Sequence, residues 1–220
     1  MEFRVLEGVP PEDVRRFLSM ARRRAFARDE VVYHHGDAAD AVHLITKGRF
    51  ARRVVSPLGQ SAMLAVRGPG ETFGELAFLE HGAKRRVTVA ALEPGETLSV
   101  GGDAYHALVA EHPALKDVLV ALLSERLFYS DARIIAGHFL DADARVRWTL
   151  LELVPIYGGG PNVVVPLTQD SLAELAGTAR GTVNRVLRDE QRRGVVALER
   201  GRVRILEPES LAARVRGLPL

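Results

Sequence analysis

Between residues 22 and 101 the sequence alternates short apolar runs with glycine-containing turns, and this pattern restricts the fold more than any other feature. The apolar runs are VVY, AVHLI, AMLAV, VTVAAL and TLSV, and turns such as HHGD, TKGR, RGPGE and EPGE separate them. Short strands at this spacing are typical of a β-sandwich or β-barrel. We therefore predict a β domain here, preceded by a short helix over residues 10–20.

The segment after the β region predicts one long helix that begins at Pro113 and ends at Gly137. Proline suits a first helical turn, and glycine suits a helix exit. The helix has two largely apolar faces. The first face contains Leu119, Leu123, Leu127, Ser130 and Ile134. The second face contains Val118, Leu122, Tyr129 and Ala132. A helix that is apolar on two faces should bury both, one on the β domain and one on a second subunit. A fully buried helix in a monomer is the alternative, and we favour the homodimer.

Residues 168–187 predict a helix-turn-helix, and Asp141 is expected to cap a further helix before it. Thr168 can cap the first helix of the pair, and Gly177 supplies the backbone freedom that a tight turn needs. The inward side of the second helix is expected to carry Val183, Val186 and Leu187. The arginine-rich segment that follows reads as a hairpin, with its turn at Arg200 and Gly201.

The outer face of the second helix is basic, which suits a major groove. Arginine can bond to two atoms of guanine, so we expect base contacts from Arg180 and Arg185, with threonine hydroxyls directed to phosphate. The candidate DNA-binding residues are Thr168, Gln169, Thr178, Arg180, Gly181, Thr182, Asn184 and Arg185. DNA binding explains both the helix pair and the arginine-rich β-hairpin that follows it. The alternative, a generic pair of helices with a solvated basic face, explains only the helix pair.

Composition narrows the remaining classes of function. The chain contains no cysteine, which excludes disulfides, thiolate metal sites and cysteine-held iron–sulfur clusters. The start of the sequence contains neither a signal peptide nor a membrane-spanning run, so we expect a cytoplasmic protein without a membrane partner. No nucleophile–base pair stands out, so we predict no enzyme. His34 and His35 are adjacent on a predicted strand and should face opposite sides, so we expect no metal.

Two motifs occur in the order and spacing of a known family. Gly74-Glu75-Leu76-Ala77 followed by Arg85 resembles a phosphate-binding cassette, and residues 179–185, ARGTVNR, resemble a recognition helix. Phe139-Leu140-Asp141 resembles the hinge between the two domains of that family. On these motifs the chain resembles the CRP/FNR family of bacterial transcription regulators over nearly its whole length.

The resemblance implies an α+β fold with three parts. These are an N-terminal cyclic-nucleotide-binding β-roll domain over residues 1–112, a dimerisation helix over residues 113–138 and a C-terminal winged helix-turn-helix DNA-binding domain over residues 139–220. It also implies a homodimer that binds a pseudo-palindromic site in double-stranded DNA and that contacts RNA polymerase. A haem is not expected, because His81 reads as an ordinary loop histidine.

The physical chemistry of the cassette agrees with a nucleotide site. Backbone N–H groups at the start of a short helix are natural phosphate donors, and Arg85 can neutralise the phosphate. Glu75 has the wrong charge for phosphate but can accept a hydrogen bond from a ribose 2′-hydroxyl. A surface ion pair between Glu75 and Arg85 is the alternative. The resemblance makes cAMP the leading effector.

The sequence departs from the family pattern at several positions. Arg86 stands where serine or threonine is usual, although strand alternation should direct it away from Arg85. The adenine-contacting pair of the family falls on Ser130 and Asp131. Gly181 replaces a glutamate that would accept from cytosine, so the base pair facing it should be weakly specified.

These departures leave other readings open. They are another nucleotide as the effector, a regulator without an effector and with a degenerate pocket, a cyclic-nucleotide-binding module that acts on a partner protein, and, least favoured, a β-roll enzyme. The implied effector-site residues are Gly74, Glu75, Leu76, Ala77, Arg85, Arg86, Ser130 and Asp131.

Overall fold

A computed structural model describes residues 2–75 and 82–215 of the chain. The chain divides into two compact units, Met1–Val54 with Ala65–Leu127 and Val55–Leu64 with Phe128–Leu220. Up to the end of the long helix, the elements are a 3₁₀ turn at Arg4–Leu6, α1 Pro11–Ser19, β1 Arg22–Phe26, β2 Val31–Tyr33, β3 Ala41–Lys47, β4 Phe50–Val55, β5 Ser61–Arg67, β6 Thr72–Phe73, β7 Thr88–Ala91, β8 Gly95–Gly101, α2 Gly102–Glu111 and α3 Leu115–Phe139.

The predicted short strands form two four-stranded sheets with the orders β1-β8-β3-β6 and β2-β7-β4-β5. Residues from both sheets meet in one apolar core, which includes Phe26, Tyr33, Ile45, Phe50, Phe73 and Val89. The turn between β3 and β4 requires glycine at Gly48, which has φ of +74° and lies too close to Gly95 for any side chain. The β domain is therefore a two-sheet structure, as the alternation of strands and turns predicts.

A second apolar cluster joins the helices of the first unit to strands β3 and β8. Phe17 of α1, Tyr105 of α2 and Leu115 of α3 are buried in it beside Val42 and Leu44. These helices cover apolar strand residues that would otherwise face water, which is the main reason why they fold at these positions.

The long helix does not have the predicted ends. It begins at Leu115 rather than Pro113, and it continues through Gly137 to Phe139. A glycine within a helix costs only about 1 kcal/mol relative to alanine, and Ala136 beside it is fully buried in a local apolar cluster. The residues of the predicted first face do not share one environment in the single chain, because Leu119 is 8% exposed whereas Ile134 is 60% exposed. The boundaries of the three predicted parts stay a prediction.

The second unit contains the predicted helix pair and hairpin. Its further elements are α4 Ala142–Ile156, β9 Val163–Val165, α5 Gln169–Ala176, α6 Arg180–Arg192, β10 Val196–Glu199, β11 Arg202–Ile205 and α7 Pro208–Ala212. The β10-β11 hairpin turns at Arg200 and Gly201, and β9 pairs with β11. Asp141 caps α4 as predicted, since its carboxylate accepts from the Ala144 N–H at 2.8 Å. Among the described residues, no helix is both long and apolar enough to span a bilayer.

Candidate effector cleft and nucleic-acid interface

Arg85 lies at the centre of a cleft in the β domain and is 5% exposed. Its terminal nitrogens donate to the carbonyl oxygens of Ala41 at 2.7 Å and Gly74 at 3.2 Å. The guanidinium carbon lies 4.2 Å from the ring centroid of Tyr33. Gly74 has φ of +85°, and a side chain there would collide with Arg85. Glycine at position 74 is therefore favoured by its positive φ, and a side chain there would also crowd the Ala41 carbonyl oxygen at 3.0 Å.

Glu75 forms an ion pair in the same cleft, but its partner is Arg126 of α3. Arg126 also donates to the carbonyl oxygen of Thr72 at 2.9 Å. Burial by itself would raise the pKa of Glu75, but the charge and hydrogen bond of Arg126, together with a backbone hydrogen bond and the charge of Arg52, hold that pKa below its usual value. In the described structure Glu75 thus pairs with the helix rather than with Arg85.

Two buried polar atoms of the cleft have no hydrogen-bond partner among the described residues. They are Oε2 of Glu75 and Nε of Arg85. Buried polar atoms are nearly always satisfied, so an orphaned acceptor beside an orphaned donor indicates a place where a ligand can bind. A hydroxyl group suits the carboxylate, and a phosphate oxygen suits the arginine.

The residues after Arg85 alternate as predicted. Arg85, Val87 and Val89 are buried, whereas Arg86 is exposed. Arg86 nevertheless lines the cleft, together with Arg52 and Lys84. The cassette residues Leu76 and Ala77, as well as His81, lie outside the described residues.

Ser130 and Asp131 lie on α3, and both are exposed. Their role towards a nucleotide stays a prediction. The sequence-based prediction missed Arg126. A signal for it existed in the sequence, since this arginine follows Leu119 and Leu122 at helical spacing on the buried side of α3.

The helix-turn-helix is formed by α5 and α6. The Thr168 hydroxyl accepts from the Ser171 N–H at 3.1 Å and caps α5, and Gly177 ends that helix in the left-handed conformation with φ of +59°. The inward residues are buried as predicted, and they are Leu172, Leu175, Val183, Val186 and Leu187.

The outer face of α6 has the predicted basic character. Arg180, Gly181, Arg185 and Arg188 are exposed, whereas Gln169, Thr178, Thr182 and Asn184 are half-buried. Arg185 donates both terminal nitrogens to the carboxylate of Asp143 in the first turn of α4, with 2.6 Å between Nη1 and Oδ2. Arg180 lies 3.7 Å from Asp170, and Arg188 donates to the Asn184 side chain at 3.1 Å.

The wing hairpin is basic only in part. Arg202 and Arg204 both pair with Glu199 of the facing strand, so part of their charge is neutralised within the hairpin. Arg200 lies exposed in the turn.

Two arginines that were not predicted hold the carboxyl end of α5. Arg145 of α4 donates to the carbonyl oxygens of Ala176 and Gly177, each at 3.2 Å, and Arg133 of α3 donates to that of Leu175. The last carbonyls of a helix lack intrahelical partners and carry partial negative charge, so cations stabilise this end. These contacts fix the orientation of the first helix of the DNA-binding pair.

Among the described residues, one group of side chains has the spacing of a metal site. Ligand atoms of Asp13, Glu111 and His112 lie within 4.8 Å of one another, but Arg16 already pairs with both carboxylates. The prediction that His34 and His35 lie on a strand was wrong, because β2 ends at Tyr33 and both are exposed in the following turn.

Comparisons with known proteins agree with this geometry. Residues 23–112 match the model of the cyclic nucleotide-binding domain, and residues 144–214 match that of the Crp-like helix-turn-helix domain. The chain is 35% identical to the cyclic AMP receptor protein of Thermus thermophilus, over 97% of each chain. It is 29% identical to a CRP-like cAMP-activated global transcriptional regulator of Mycobacterium tuberculosis, over 96% of each chain.

Solved structures are similar as well. The Thermus thermophilus catabolite activator protein shares 33% identity with a TM-score of 0.55, over 96% of this chain and 98% of that one. The c-di-GMP-responsive regulator CLP of Xanthomonas campestris shares the fold, with a TM-score of 0.75 at 21% identity over 90% of this chain and 99% of that one. The chain therefore belongs to the CRP/FNR family, and it is a DNA-binding transcription regulator with a cyclic-nucleotide-binding domain.

Proposed function

We propose that a nucleotide bound in the β-domain cleft controls how this regulator binds DNA. The observation that carries the proposal is the pair of orphaned, buried polar atoms on Glu75 and Arg85. A ribose phosphate offers both a hydroxyl donor for the carboxylate and an anionic acceptor for the arginine. Arg126 of α3 contacts Glu75, so occupancy of the cleft can bias the long helix directly.

Cyclic AMP is the first effector to test. The relatives from Thermus thermophilus and Mycobacterium tuberculosis carry cAMP in their names. Gly74, Glu75 and Arg85, with Leu76 and Ala77 of the same cassette, would hold the ribose phosphate. Arg86, Ser130 and Asp131 complete the proposed effector site.

We further propose that α6 enters the major groove of double-stranded DNA. Arg180 and Arg185 would contact bases, supported by Gly181 and Asn184 on the same face. Phosphate contacts would come from Thr168, Gln169, Thr178 and Thr182 near the start of the two helices. RNA polymerase is the proposed protein partner, and the cytoplasm is the proposed location.

A homodimer supports this arrangement, because two recognition helices can then read two half-sites of a pseudo-palindrome. A row of apolar residues along α3 is exposed in the single chain, namely Val120, Leu127, Phe128, Ile134 and Phe139. Such a stripe on a monomer is costly in water, and a second copy of the helix would cover it.

A regulator that needs no effector is the second candidate. It is favoured by Arg85, whose terminal nitrogens have partners within the chain in the carbonyl oxygens of Ala41 and Gly74. An Arg180→Ala/Arg185→Ala double variant tests the alternative of a module that acts on a partner protein instead of DNA. Such a module would keep its function in the variant, whereas a DNA-binding regulator would lose DNA binding.

Calorimetric titration of the full-length protein with cAMP, repeated on Arg85→Ala, tests the proposal. We expect saturable binding to the natural sequence and no binding to the variant. Binding that is unchanged in Arg85→Ala would contradict the assigned site, and no heat together with no thermal shift would remove cAMP.

A further inference from the structure

The cleft that holds Arg85 carries far more positive charge than one phosphodiester can neutralise. Within residues 2–75 and 82–215, its lining contains Arg52, Lys84, Arg85 and Arg86, but only one carboxylate, that of Glu75. That carboxylate is already paired with Arg126. A second carboxylate, Asp40, lies 3.4 Å from Arg85 but is mostly exposed, so its attraction is screened by water.

Arg52 is the most informative of these cations. It lies in the middle of β4 and is half-buried, so its guanidinium has little freedom to move into solvent. Burial lowers its pKa, and Glu75 offsets this effect only in part. No hydrogen bond or ion pair holds Arg52 within residues 2–75 and 82–215. A half-buried guanidinium whose charge Glu75 compensates only in part is unfavourable, and a bound anion reduces the penalty.

Arg86 and Lys84 extend the same cationic surface to the rim of the cleft. Both are exposed, and neither has an ion-pair partner in the described part of the chain. Lys84 and Arg86 flank Arg85 in the sequence and line the same cleft, so an anion at the rim would meet their charge in addition to that of Arg85. The cleft therefore offers cations for a second anionic group beside the one that Arg85 would hold.

We infer that the effector of this site is a nucleotide with at least two phosphate groups, one held by Arg85 and a second held by Arg52 and Arg86. The inference rests on the proposed nucleotide control and specifies its ligand. Cyclic AMP brings a single negative charge and would leave Arg52, Lys84 and Arg86 without anionic partners. A second phosphate neutralises them and gains charge-assisted hydrogen bonds.

The test varies the ligand charge while the base is kept constant. The full-length protein is titrated by calorimetry with cAMP, with adenosine 3′,5′-bisphosphate and with cyclic di-AMP. Cyclic GMP and cyclic di-GMP repeat the comparison with guanine and separate the effect of charge from that of the base. We expect at least one probe with two phosphates to bind about tenfold or more tightly than the cyclic mononucleotide with the same base.

Variants then locate the second phosphate. Arg52→Met should weaken the two-phosphate probe by about tenfold while changing cAMP binding by less than about threefold, and Arg86→Ser should weaken the two-phosphate probe more than it weakens cAMP. Arg53→Met is the matched control, because the neighbouring strand position points to the opposite face of the sheet and does not line the cleft. Arg86 is exposed, so its replacement provides a variant that should fold even if Arg52→Met does not.

The outcomes distinguish this inference from the proposed function. Cyclic AMP that binds as tightly as the two-phosphate probes, or more tightly, would overturn the inference and leave nucleotide control in place. Equal losses in Arg52→Met and Arg53→Met would also overturn it. If no probe bound to a protein that still bound DNA, nucleotide control itself would fail and the inference with it.

Discussion

Arg185 of the recognition helix donates both of its terminal nitrogens to the carboxylate of Asp143, which lies in the first turn of α4. The same two nitrogens form the fork that grips guanine in a major groove. The ion pair and end-on guanine recognition therefore exclude each other. The proposed base-reading arginine must leave Asp143 before it can read DNA in this way.

We predict that Asp143→Ala binds DNA more tightly, because Arg185 is then free before binding. Exposed ion pairs are weak, so the expected gain is about two- to fivefold in Kd. Fluorescence anisotropy with a selected operator measures it, with Asp117→Ala as a control for the loss of one exposed carboxylate. Weaker binding would show instead that Asp143 positions Arg185 for recognition.

Gly181 gives a prediction about specificity. A side chain at this position would meet no atom within 4 Å in the free protein, so a larger residue fits the helix. Gly181→Glu should create a preference for cytosine of roughly tenfold at the facing base, since the carboxylate can accept from the cytosine amino group.

Site selection with random DNA tests this prediction. Gly181→Ala adds a side chain without an acceptor and serves as the control. A strict preference at the facing base pair in the natural protein would contradict the weak specificity expected from glycine.

Glu190 of α6 supports a stability prediction. It is fully buried, and it accepts from Arg147 of α4 at 2.6 Å and from Arg214 at 2.7 Å. Its removal leaves the buried Arg147 with only the longer 3.9 Å contact to Asp189, so Glu190→Ala should lower the free energy of unfolding by about 3–5 kcal/mol. Urea denaturation measures this change.

A double variant separates the lost partner from lost packing. Arg147→Met/Glu190→Leu should recover much of the stability, because it removes both buried charges while keeping similar volumes. Exposed Glu209→Ala is the control. A loss below about 1 kcal/mol in Glu190→Ala would contradict the account of this network.

Glu152 predicts a pH dependence in the second unit. Burial raises the pKa of this carboxyl to about 7, although Arg133 lies 3.2 Å away and attracts the charged form. The folded protein therefore binds more protons than the unfolded chain between about pH 4.5 and pH 7, and stability from this group falls as pH rises through that window.

The amplitude of the Glu152 effect is at most about 3 kcal/mol. Glu152→Gln should remove this slope, whereas Glu7→Gln should leave it unchanged. Urea denaturation at several values between pH 5 and pH 8 compares the three proteins. An unchanged slope in Glu152→Gln would contradict the assignment.

Local signals in the sequence predict much of the fold. The bounds of α5 are correct because Thr168 and Gly177 mark both ends by capping chemistry. The end of α3 was misplaced because the small cost of Gly137 is offset by tertiary packing of Ala136, which local pattern does not report.

The candidate sites also contain some residues that local sequence identifies and others that it does not. Gly74, Glu75 and Arg85 fall within one short stretch of the sequence and could be identified from it. Arg126, which pairs with Glu75, and Arg145, which holds the end of α5, make contacts between distant parts of the chain. Such partners depend on how the elements pack, so the sequence indicates at most a polar residue on an otherwise buried face.

The most direct test of nucleotide-controlled DNA binding is operator affinity measured by fluorescence anisotropy, with and without a saturating nucleotide. The natural protein and Arg85→Ala are compared on the same selected DNA. We predict that the nucleotide tightens operator binding by the natural protein by about tenfold or more and leaves Arg85→Ala unchanged. Equal operator affinity in all four measurements would contradict nucleotide control and would favour a regulator that needs no effector.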